Sequence, residues 1–105
     1  MANWVRVGSA GEIAENGCRV YGVEGNTIAV FKVDGGYFAI DNACAHQGGP
    51  LSEGTINGRT VTCPWHFWQY NLATGKTTTS GDMGVRSYAV EVRDDDVLVD
   101  IAGGS

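Results

Sequence analysis

The sequence is poor in several things. Positive charge is one: 7 Lys and Arg stand against 12 Asp and Glu, for a formal net charge of −5. That balance argues against a nucleic-acid partner, since phosphate contacts need clustered Lys and Arg. It suits docking against a basic protein surface instead. Long apolar runs are missing, and nothing approaches the roughly 18 residues that a membrane span needs. The N-terminal Met1-Ala2-Asn3-Trp4 shows no charged region leading into an apolar stretch, so no export signal is expected. Three cysteines are too few, and odd in number, for a secreted disulfide framework. A cytoplasmic home follows as the expectation. Charged residues make up only 18%, too few for a disordered chain. No segment keeps a helical period for about 11 residues, which leaves little room for helices.

What is present points to β-structure. Sixteen glycines and two prolines punctuate short runs rich in Val, Ile, Thr and Tyr. Residues 4–7 form a first expected strand, with a helical turn near 11–15. Residues 18–23 and 27–33 form a hairpin across Glu24-Gly25-Asn26, and Asp34-Gly35-Gly36 turns the chain into a strand at 37–41. Residues 85–93 alternate cleanly, with Tyr88, Val90 and Val92 on one face. After a turn at Asp94-Asp95-Asp96, Val97, Val99 and Ile101 share a face of the last strand. Between about 42 and 84 the runs shorten, and Cys, His, Pro and Trp concentrate. This reads as a loop-rich insertion mounted on a sheet. One domain spanning residues 1–102 is expected, with 103–105 a linker or tag remnant. Trp4 is expected in core or edge packing.

Two cassettes carry the chemistry: Cys44-Ala45-His46-Gln47-Gly48-Gly49-Pro50 and Cys63-Pro64-Trp65-His66. Both histidines of the chain, and every cysteine except Cys18, lie in them. Each cassette pairs a thiolate with an imidazole beside Gly or Pro, the composition of a ligand loop. Gly48 and Gly49 would let backbone N–H groups approach a bound anion. An iron–sulfur cluster fits this set, and other readings compete with it. A Cys₂His₂ zinc site, in a zinc-stabilised binding module, has the same ligand count, although finger-type sites group their cysteines apart from their histidines. A Cys–His hydrolase would use one pair and leave the other without a role. Buried free cysteines are common. Cys18, in an expected strand, reads as one of these.

The C-x-H and C-x-x-H pair on two loops resembles the signature of Rieske-type [2Fe–2S] proteins. The likeness continues through Pro50-Leu51-Ser52-Glu53-Gly54, Asn71-Leu72-Ala73-Thr74-Gly75-Lys76 and Tyr88-Ala89-Val90-Glu91-Val92. It implies an all-β Rieske fold: an antiparallel β-sandwich base with an inserted loop-rich cluster-binding subdomain. It implies one [2Fe–2S] cluster, with Cys44 and Cys63 on the inner iron and His46 and His66 on the outer. Exchanging two thiolates for neutral imidazoles raises the formal cluster charge from about −2 to about 0, which favours accepting an electron. The imidazole edges then offer the electron its exit.

Departures from the pattern narrow the role. High-potential members carry a loop disulfide, but the matching positions here are Gly49 and Trp65. A serine donor found in those proteins is replaced by Trp68. Tyr70 matches a family tyrosine that donates to a ligand sulfur, or it packs beneath the loop. The expected potential lies toward the lower end of the Rieske range of about −150 to +300 mV. Ser80-Gly81-Asp82-Met83-Gly84 matches a third loop covering the cluster, without the prolines frequent there. Both histidines being committed, none remains for the mononuclear iron of a Rieske oxygenase. The resemblance therefore implies a monomeric electron-transfer ferredoxin in aromatic hydrocarbon catabolism, not an enzyme itself. Its partners would be a flavoprotein reductase and a terminal oxygenase. The stretch His66-Phe67-Trp68-Gln69-Tyr70 leans toward monooxygenase systems. The small subunit of an assimilatory NADH-dependent nitrite reductase is the second reading.

Overall fold

The computed structural model describes residues 3–42, 50–64, 68–78 and 84–102. All six strands expected from alternation and turn residues are present, five of them being β1 (Trp4–Ser9), β2 (Gly17–Val23), β3 (Asn26–Val33), β4 (Gly36–Asp41) and, after the insertion, β8 (Ser87–Arg93). The chain closes on β9 (Asp96–Asp100). These six form one antiparallel sheet in the order β1-β9-β8-β4-β3-β2. The sheet curls until its edges meet, so that Gly8 of β1 lies against the Tyr21 ring of β2. Two tight hairpins fix the register. Glu24 and Gly25 (φ 47° and 85°) and Asp34 and Gly35 (φ 53° and 75°) both take the paired positive angles of a primed turn.

The insertion is more ordered than its short runs led us to expect. It holds a second sheet of β5 (Thr55–Asn57), β6 (Thr60–Thr62) and β7 (Gln69–Asn71), preceded by a 3₁₀ turn at Leu51–Glu53. The expected helical turn near 11–15 is a 3₁₀ turn at Ala10–Glu12, begun by the Ser9 N–H donating to the Glu12 carboxylate (2.8 Å). The strand expected from 85 begins at Ser87, because the Val85 N–H is taken by the Gly75 carbonyl (2.8 Å). Trp4 lies on the edge strand β1 and stays 38% exposed, so it adds little to the core. No helix among the described residues is long and apolar enough to cross a membrane.

β3 organises the whole. Ile28, Ala29, Val30 and Phe31 are all fully buried. Ile28 and Val30 join Val23, Ala39, Tyr88, Val97 and Val99 inside the curled sheet. Ala29, Phe31 and Val33 face the other way, into a second cluster with Ile40, Leu51, Val61, Cys63, Tyr70 and Leu72. The small sheet is thus seated on the outer face of β3 and β4. Truncating Phe31 would remove about 3–5 kcal/mol from that contact.

Candidate metal centre

Strand direction sets where the ligand segments start. β4 ends at Asp41, β8 begins at Ser87, and Trp4 pairs with Asp100, all at one end of the sheet. The Asp34-Gly35 and Asp94-Asp95 turns lie at the other end. From Asn42 the chain leaves for the first cassette and returns at Pro50. Across this neck the Leu51 N–H donates to the Asn42 carbonyl (2.7 Å), and the Ser52 N–H donates to Asn42 Oδ1 (2.9 Å). The second cassette starts from Cys63, whose N–H donates to the Trp68 carbonyl (2.7 Å) and closes the tip between β6 and β7.

The third segment is held at both sides. The Thr78 N–H donates to the Gln69 carbonyl (2.9 Å), while Gly84 bridges to Lys76 and the Val85 N–H donates to Gly75. Gly75 sits at φ +77°, a region open to glycine. A Cβ there would lie 2.2 Å from the Val85 carbonyl oxygen. Asn71 shapes this turn, its Oδ1 accepting from the Ala73 (2.8 Å) and Thr74 (3.2 Å) N–H groups.

Of the four expected ligands, Cys63 is in view; Cys44, His46 and His66 lie outside the described residues. So do Gln47, Trp65, Phe67, Asp82 and Met83. Cys63 is fully buried in the cluster that contains Leu51, and Trp68 and Val85 pack against the same cluster. Residues bordering all three segments therefore meet one apolar surface. That surface fits the expected group. A cluster held by two thiolates and two imidazoles is formally neutral when oxidised, and an apolar surround penalises it far less than a charged one.

Tyr70 is fully buried in the same cluster, opposite Val61 on β6, a position common to both readings of it. Cys18 is half-buried against Phe31's cluster. Its thiol donates to the Ser52 carbonyl (3.1 Å), and burial pushes its pKa above the ordinary thiol value. A raised pKa favours the protonated thiol at neutral pH, and the side chain packs in β2 where the sequence places it.

Two polar contacts at this end are not implied by any sequence motif. Asn42 is one. The other joins Asp41 and Tyr88, whose hydroxyl donates to Asp41 Oδ1 (2.5 Å). The Arg86 guanidinium lies 5.2 Å from the Tyr88 ring centroid. Burial first, and the Asp41 hydrogen bond second, push the Tyr88 pKa up to about 12. The only sequence signal was an Asp-Asn pair ending a strand just before C-x-H.

The fold is a curled antiparallel sheet carrying a small second sheet, and at the described part of the site one buried cysteine, Cys63, meets the necks of three segments on one apolar surface. Residues 3–89 match the model of the Rieske [2Fe–2S] domain family, and the chain belongs to that family. It is similar to the ferredoxin component of the naphthalene 1,2-dioxygenase system of Pseudomonas putida. The two are 28% identical over 100 residues, 94% of this chain and 96% of the relative. The solved ferredoxin of carbazole 1,9a-dioxygenase from Nocardioides aromaticivorans IC177 superposes with a TM-score of 0.86. It is 26% identical and covers 93% of this chain and 97% of its own. A protein assigned as the NADH-dependent nitrite reductase small subunit of Mycobacterium tuberculosis gives a TM-score of 0.87, covering 94% and 95%. At 19% identity that likeness is one of fold alone. By name, the two ferredoxins serve dioxygenase systems, against the monooxygenase leaning of residues 66–70.

Proposed function

We propose that this chain is the one-electron carrier of an aromatic-ring oxygenase system, passing electrons from a flavoprotein reductase to a terminal oxygenase. Cys44, His46, Cys63 and His66 hold its [2Fe–2S] cluster, and residues 1–102 form one domain without a catalytic site of its own. The observation that carries this reading is the buried Cys63, set in an apolar cluster bordered by the necks of all three family loops. When bound, the cluster supplies a centre that takes up and returns a single electron. The protein's part is to hold it. Leu51, Val61 and Leu72, all buried beside Cys63, exclude water from the inner side. The neck hydrogen bonds fix where each ligand segment leaves the fold. A Cys18 thiol outside any disulfide suits a reducing cytoplasm, where we place the protein as a monomer.

The test is spectroscopic, then functional. The purified protein should be red-brown and give a Rieske-type EPR signal on reduction. His46→Ala and His66→Ala should abolish that signal, while Cys18→Ser keeps it. A colourless zinc protein, or loss of the cluster in Cys18→Ser, would overturn the ligand assignment. The reduced protein should then support single turnover of a ring-hydroxylating oxygenase. Support of nitrite reduction alone would favour the nitrite reductase reading.

A further inference from the structure

Asn42 is the last described residue before the first ligand segment, and it bonds to three separate places. Its N–H donates to the Thr27 carbonyl at the start of β3 (2.9 Å). Its carbonyl accepts from the Leu51 N–H (2.7 Å), and its side-chain Oδ1 accepts from the Ser52 N–H (2.9 Å). The last two bonds cross the neck of the segment that carries Cys44 and His46, and the first ties that neck to the sheet. The network runs further, because the Ser52 carbonyl accepts the Cys18 thiol of β2 (3.1 Å). On the far side of the neck, Leu51 is fully buried in the cluster that holds Cys63. One amide side chain thus joins the start of one ligand segment to the wall beside the other.

We propose that Asn42 is a positioning residue: its side-chain amide sets where Cys44 and His46 stand relative to Cys63, and thereby the ligand field of the cluster. This rests on the ligand assignment above. Without the side chain, the Leu51 N–H bond is the one left from Asn42 across the neck among the described residues, while the Thr27 bond ties Asn42 to the sheet and not to Leu51 or Ser52. The Oδ1 bond adds a second point across the neck, to Ser52, and fixes the direction of the chain there as well as its position. The requirement is chemical as well as steric, since the side chain must present an acceptor to Ser52.

The test compares Asn42→Ala, Asn42→Asp and Val99→Ala in the cluster-loaded protein. Val99 lies in the interior of the curled sheet, away from the loops, and serves as a purely destabilising control. Three properties are read: EPR g-values after reduction, midpoint potential and apparent Tm. Asn42→Ala should displace the g-values and the midpoint and lose its cluster several-fold faster. Val99→Ala should lower Tm while leaving g-values and midpoint at wild type. Asn42→Asp keeps an acceptor facing Ser52, so its g-values should return to wild type, with a midpoint lowered by the added charge. Wild-type g-values and midpoint in Asn42→Ala would overturn the proposal, as would Asn42→Asp behaving like Asn42→Ala. If Asn42→Ala holds no cluster at all, Asn42→Asp decides: native g-values support the proposal and displaced ones refute it. Failure of the ligand assignment is visible separately, as a Rieske signal that survives His46→Ala.

Discussion

Substituting Gly75 by alanine tests whether the third segment is held by backbone contact. The new Cβ would lie 2.2 Å from the Val85 carbonyl oxygen, against an ordinary contact beyond 3 Å, so Val85 and the turn must part by nearly 1 Å. Three costs add. A non-glycine residue at φ +77° costs about 1–2 kcal/mol. Forcing the overlap apart costs about 1–3 kcal/mol. Stretching the Val85 N–H bond to the Gly75 carbonyl costs about 0.5–1.5 kcal/mol. Gly25 supplies the control, since its φ is +85° and nothing lies within 4 Å of where its Cβ would be. Gly25→Ala therefore bears the first cost alone. The difference between the two variants, about 2–4 kcal/mol, is the steric and hydrogen-bond part.

At roughly 4–8 °C per kcal/mol for a domain of this size, the two variants should differ by about 10 °C or more. The measurement is far-UV circular dichroism of the cluster-loaded proteins, heated at one fixed scan rate because cluster loss makes unfolding irreversible. Apparent Tm values within about 3 °C of each other would refute the reasoning. The close approach of Gly75 to Val85 would then carry no energetic weight.

Two further predictions concern charge. Tyr88 titrates near 10 when unfolded and about 12 when folded, so the folded state binds the proton more tightly. Its contribution is complete below pH 10 and is lost as the pH rises from 10 to 12; Tyr88→Phe should flatten the fall in denaturation midpoint across that window, and an unchanged slope would remove Tyr88 as its cause. Glu53 is exposed on the 3₁₀ turn just after the first ligand segment, so Glu53→Lys should slow reduction by the cognate reductase on the order of threefold to tenfold at low salt and not at high salt. If Asp94→Lys, at the far end of the sheet, slows transfer in stopped-flow traces while Glu53→Lys does not, the docking face lies elsewhere.

The parts of the fold legible in the sequence are those governed by local period. Val97 and Val99 announce a strand face by alternation, and Glu24-Gly25 and Asp34-Gly35 announce their turns because few pairs accept two positive φ angles. The cassettes announced the cluster because ligand chemistry restricts residue type and spacing together. Contacts between distant loops leave no such trace. Tyr88 and Asp41 are 47 residues apart, and neither residue type implies the other. Val85 and Arg86 carry residue types that a strand accepts, yet the Val85 N–H serves the Gly75 turn, so the expected strand overran the observed one by two residues. β5, β6 and β7 have three residues each, too short for period 2 to stand out from chance.

Net charge also reads differently once the acids are placed. An excess of carboxylates implied a surface that steers a basic partner, but several of them are bound to backbone at the end of the sheet away from the ligand necks. Glu15 accepts from the Asp34 (2.6 Å) and Gly35 (3.3 Å) N–H groups and braces that hairpin. Asp95 accepts from the Gly11 N–H (3.1 Å), and Glu12 from that of Ser9, together fixing the first 3₁₀ turn. Arg6 and Asp96 pair at 2.6 Å on the exposed face of β1 and β9. Such an exposed pair adds little stability, and its two charges cancel at a distance. Carboxylates engaged in this way hold turns, and their removal should cost stability before it changes association. The steering charge that a partner meets is therefore carried by acids without backbone duties near the ligand necks. Glu53, exposed and one turn beyond the first of them, is a described residue that meets both conditions, and Glu24, exposed in the β2–β3 turn at the same end of the sheet, is another.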